Sequence, residues 1–103
     1  MKKYFGFFKG MKYGECDEDF EFYRSINNKY SKTDILTYMK SLSVSAIAMM
    51  SVEDIFDGER IEQAGIIEDG DFIFPCDFIH YFEKYDIGIT LEYEGYIENY
   101  LNK

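Results

Sequence analysis

Apolar and polar positions along the chain change period several times, and each change predicts a new element. Lys3 to Phe8 is dense in Tyr and Phe, which suits an opening strand, and Gly10 and Gly14 bracket a turn after it. Across Cys16 to Asn28, Phe20 and Phe22 alternate like a strand while Phe22 and Ile26 keep helical spacing. The helical pattern is preferred, with Asp17, Glu18 and Asp19 in a first turn where negative charge complements the helix dipole. Ser31 followed by Asp34 reads as a helix cap, and Ile35, Met39 and Leu42 then share one face. Ser43 to Met50 passes from alternation to a wholly apolar run, the pattern of a buried, central strand.

Ser51 with Asp54 repeats the capping signal, and Val52, Ile55 and Phe56 predict one short helix that Gly58 ends in a left-handed conformation. Between Arg60 to Ile67 and Phe72 to Phe74, Asp69 and Gly70 predict a two-residue hairpin turn. Pro75 stops the second strand and opens a helix with Asp77 in its first turn, Phe78, Phe82 and Tyr85 along one stripe, and Gly88 at its end. Thr90 caps a last helix whose Tyr93, Ile97, Tyr100 and Leu101 face inward. With no repeat, linker or low-complexity tract, residues 1–103 predict one domain of mixed α/β (α+β) class, a small, mostly antiparallel sheet flanked by helices.

Composition adds a partner class to this outline. Twenty acidic against eleven basic residues give a net charge of −9. That field repels nucleic acid and anionic lipid and draws in a basic protein. Ten Phe and ten Tyr exceed what a small core can hold, so some rings lie exposed, where Tyr is good contact material. The amino-terminal run is broken too early by Lys9, Gly10 and Lys12 to serve as a signal peptide, and no segment reaches the roughly eighteen apolar residues of a membrane span. A cytoplasmic location is the expectation.

Catalytic constellations are hard to assemble from these residues. His80 is the single histidine, and it falls beside the Phe78 and Phe82 stripe rather than among ligands. Cys16 and Cys76 are the two cysteines, without the paired spacing of a zinc site, and are read as free thiols. The acidic run from Asp17 lacks the glycine and distal glutamate of a calcium loop, and no phosphate-cradling glycine motif occurs. No reaction, cofactor or metal is therefore expected, although paired carboxylates could in principle do acid and base work.

The segment from Gly58 to Ile97 resembles the carboxyl half of a bacterial immunity-protein family from contact-dependent growth inhibition systems, over roughly two fifths of the chain. The resemblance rests on a hairpin ending in aromatic, any residue, aromatic, Pro (Phe72 to Pro75), on the Tyr81 and Phe82 pair, and on an acidic, aromatic terminal helix. Phe72 or Phe74 stands where the family often has Trp, and Thr90 where it often has Pro. The resemblance implies a protein that binds the toxic domain of a delivered effector, often a nuclease, and covers its active site. Charge nominates three contact clusters: Asp17, Glu18, Asp19 and Glu21; Asp54, Asp57 and Glu59; and Glu68, Asp69 and Asp71 at the hairpin tip. The same acidic surface would also suit a phage-type inhibitor that mimics nucleic acid in front of a defence nuclease.

Overall fold

A computed structural model describes residues 2–11, 18–47, 52–61 and 64–101. Gly14, Cys16, Asp17, Ser51 and the end of the run Ser43 to Met50 lie outside the described residues, and with them the readings placed there. The elements in order are β1 (Lys3–Tyr4), α1 (Phe20–Arg24), α2 (Lys32–Lys40), β2 (Ala46–Ile47), β3 (Val52–Glu53), β4 (Arg60–Ile61), β5 (Gly65–Asp69), β6 (Phe72–Pro75), α3 (Asp77–Lys84) and α4 (Leu91–Leu101). The expected α+β class holds. Four strands form one sheet in the order β1-β6-β5-β2, and β3 with β4 forms a separate ribbon. The β1 and β6 pair is parallel, while β6 with β5 and β5 with β2 are antiparallel. Among the described residues no helix is long and apolar enough to cross a membrane.

The best-read elements are those specified locally. Ser31 caps α2 as expected, its side chain accepting from Asp34 N–H at 3.2 Å, and Ile35 and Met39 are buried. In α3 Asp77 sits in the first turn and Phe78 and Phe82 enter the core, one face of a strongly amphipathic helix. Core side chains come from every layer: Phe5 and Phe8, Phe72 and Phe74 from β6, Phe78, Tyr81 and Phe82 from α3, and Tyr93 and Ile97 from α4.

Several boundaries differ from the sequence reading for identifiable reasons. The opening strand stops after Tyr4 because Gly6 takes φ 83 and its α-carbon faces the Phe78 ring, leaving no room for a side chain. Phe5 to Phe8 then turn inward as core. The helix expected from Cys16 is a single turn from Phe20, with Asp19 as its cap and Glu18 outside it. The run from Ser43 supplies an exposed edge strand rather than a buried central one, with Ile47 71% exposed. No helix forms from Val52. Asp54 Oδ1 accepts from Phe56 N–H at 2.8 Å, Gly58 N–H returns to the Asp54 carbonyl at 2.9 Å, and the result is one turn closing the β3 and β4 ribbon. Gly58 does take the left-handed conformation, at φ 76.

The hairpin turn is Gly70 and Asp71, one residue later than expected, because Asp69 pairs with Phe72. Gly70 has φ 63 and, among the described residues, no non-glycine has positive φ, which is the glycine-first pattern of a type II′ turn. Helix α3 ends at Lys84, and Gly88 serves instead as a close-approach point, donating to the Tyr23 carbonyl at 2.9 Å against Asn28 and Ile26. Thr90 accepts from Tyr93 N–H at 3.4 Å at the start of α4 as read, but Tyr100 faces outward, 54% exposed.

Candidate functional site

The three acidic clusters have different fates, decided by what each carboxylate already bonds. Glu18 accepts from Phe7 N–H at 2.7 Å through one oxygen and from the Tyr23 hydroxyl at 2.7 Å through the other. Asp19 caps α1, and Glu21 pairs with Arg24 on the surface at 3.1 Å. Asp17 lies outside the described residues. This cluster is mostly committed to holding the chain onto itself.

The second cluster is a closed network. The Asp54 side chain is fully buried and accepts from His80 Nε2 at 2.8 Å and from the Tyr85 hydroxyl at 2.8 Å, besides two backbone N–H groups. Burial pushes the Asp54 carboxyl up, but the bonds from His80, Phe56 N–H and Tyr85 outweigh it and hold it below the ordinary carboxylate value. Burial, with the bond to the same carboxylate, pushes the Tyr85 hydroxyl up to about 12. Asp57 and Glu59 both grip the Lys84 ammonium, the latter at 2.5 Å. Asp54 is thus a structural carboxylate and not the surface contact that charge alone suggested. No local pattern signals its bond to His80, 26 positions away.

His80 also borders a groove of about 650 Å³ whose floor includes Met39, Ile67, Cys76 and Ile79. A nucleophilic reading of Cys76 in that groove is disfavoured, because burial, aided by the Asp77 charge, pushes its thiol up to about 11 and away from the reactive thiolate. Among the described residues no group of three or more His, Cys, Asp and Glu side chains is placed to hold a metal ion.

The third cluster, at the β5–β6 tip, opens outward and is surrounded by tyrosines. Asp69 Oδ2 accepts from the Tyr38 hydroxyl of α2 at 2.7 Å and the Tyr93 hydroxyl of α4 at 2.8 Å, so two helices fix this carboxylate at the strand end. Burial and the Asp69 charge together push the Tyr93 hydroxyl upward, and burial with the same bond raises Tyr38. Tyr96, 43% exposed, lies with its ring 5.2 Å from that of Phe72 and its hydroxyl above Gly70. A side chain at position 70 would collide with it. The Tyr100 ring lies tilted against that of Tyr38, 5.3 Å between centroids. Glu68 pairs with Lys2 at 2.8 Å, Glu92 with Lys3 at 2.8 Å, and Asp71 is exposed beside them.

Carboxylates and rigid, partly exposed rings therefore share one surface formed by the hairpin tip, α4 and the end of α2. Sequence reasoning named Glu68, Asp69 and Asp71 but missed Tyr38, Tyr96 and Tyr100. Tyr96 and Tyr100 are spaced one helical turn apart, and that spacing was the available signal. The chain matches no protein-family model, and neither a curated protein nor a solved structure shows significant similarity to it.

Proposed function

We propose that this protein is an immunity protein that binds a cognate toxin domain, a basic nuclease, and covers its active site. The observation that carries the reading is the tip surface, where Asp69 and Asp71 stand among the exposed rings of Tyr96 and Tyr100. Rigid amphipathic rings give contact area at low entropic cost, and carboxylates beside them complement the Lys and Arg groups a nuclease uses to hold phosphate. The net charge of −9 adds long-range steering toward such a partner.

A nucleic-acid mimic would instead need rows of unpaired carboxylates at phosphate-like intervals. Here Glu21, Glu68, Glu83, Glu92 and Glu98 each pair with a Lys or Arg of the same chain, and Lys84 takes both Asp57 and Glu59. That pairing supports the protein-contact reading over mimicry. Affinity capture from native lysate at low and then moderate salt tests it. The expected result is one basic protein fragment encoded directly beside this chain's gene, retained less well as salt rises. Recovery of defence nucleases encoded elsewhere would favour mimicry, and recovery of nothing would remove the binding proposal.

A further inference from the structure

We infer that the tip surface receives an arginine side chain of the partner, an inference that rests on the toxin-binding reading above and names the chemistry of its contact. The surface supplies two things a guanidinium needs together. One is an aromatic platform: Tyr96 is braced against Phe72 at 5.2 Å and Tyr100 against Tyr38 at 5.3 Å, so neither ring must be ordered on binding. The other is a carboxylate with a fixed direction. Asp69 is tethered through Oδ2 by Tyr38 and Tyr93, and among the described residues no donor reaches its Oδ1.

Among the described residues, Lys2 and Lys3 are engaged beside this place rather than in it. Lys2 reaches Glu68 at 2.8 Å and the Gly70 carbonyl at 3.4 Å, while Lys3 reaches Glu92 and lies over the Phe72 ring at 5.6 Å. Both lysines mark the neighbouring ground as one where ammonium groups already sit on carboxylate and ring. Arginine is the better fit to what remains. Its planar fork stacks on a tyrosine face and donates in parallel to a carboxylate, whereas a lysine is a compact, strongly hydrated point charge. Asp71, exposed at the turn, adds a second negative charge within the same tip.

The test uses the full chain and two probes. In an NMR titration with acetyl-Gly-Arg-Gly-amide and its lysine counterpart, the resonances of Asp69, Gly70, Tyr96 and Tyr100 are expected to move with the arginine peptide at lower concentration. Equal responses to both peptides, or none, would overturn the inference. With a captured toxin in hand, Tyr96→Ala and Asp69→Asn should each weaken binding at least about tenfold, while Glu53→Gln, exposed on the separate β3 and β4 ribbon, leaves it unchanged. Tyr96 is partly exposed and Asn keeps an acceptor for Tyr38 and Tyr93, so both variants should fold, which circular dichroism checks. Toxin binding that ignores both variants sinks this site but not the toxin reading. An arginine response at the tip without any captured toxin sinks the toxin reading but not the site.

Discussion

Phe78→Ala is expected to lower the unfolding free energy by about 4 kcal/mol. Phe78 is fully buried at the start of α3, and its ring lies 5.4 Å from Phe5, 5.9 Å from Phe8, 5.8 Å from Tyr23 and 6.1 Å from Phe82. Those partners come from the amino-terminal segment, α1 and α3 itself, so the cavity left by truncation opens where three parts of the chain meet. Gly6 cannot move in to fill it, because its positive-φ turn is shaped around the ring. Domains of this size hold about 5–15 kcal/mol in total, so the variant should be near the edge of folding. Urea unfolding followed by circular dichroism reads the change, and a loss below about 1 kcal/mol would mean that Phe78 is not central to the core.

The second large effect belongs to Asp54. Asp54→Ala strips the acceptor from His80, Tyr85 and the N–H groups of Phe56 and Asp57 in one step, and should cost about 3 kcal/mol. The pH dependence follows from the direction of its shift. A carboxyl held below its ordinary value in the folded state binds protons more readily when unfolded, so its contribution is fully present above about pH 4 and fades as pH falls through the lower folded value. Asp54→Asn keeps one acceptor oxygen but not the charge. Its stability deficit against the unmodified protein should therefore be constant at neutral pH and shrink below about pH 4. A deficit that persisted unchanged to pH 2 would contradict this account of the network.

Those two residues also mark how far the sequence could be read. Phe78 was legible because Pro75, Asp77 and the spacing to Phe82 lie within one short stretch, and local signals of this kind also placed α2, α4 and the existence of the β5 and β6 hairpin. Asp54 was misread as a helix-capping and surface residue. Its carboxylate does cap a turn, but His80 and Tyr85 close over it from α3 and its end, and a contact across that separation leaves no periodic trace. The parallel pairing of β1 with β6 is equally non-local. An apolar run near Ser43 reads the same whether it is central or at an edge, and the edge placement follows from which strand β5 is free to pair with.

The tip surface was half legible. Its carboxylates stood out by charge and by the neighbouring turn, while its rings were hidden within a helical pattern that looked inward at Tyr100. Exposed aromatics on a small acidic domain gain meaning only once the fold brings them beside Asp69 and Asp71. Charge counted along a sequence overstates the available negative surface, since Glu18 and Asp54 both spend their oxygens on internal donors.

An inhibition titration decides whether this chain, as proposed, silences a basic toxin by direct contact. Increasing amounts of the folded protein are added to a purified toxin domain captured as its partner while substrate cleavage is followed. Activity is expected to disappear as the molar ratio reaches about one to one, with a slower approach to inhibition at higher salt. Cleavage that continues undiminished with the protein in excess would contradict it.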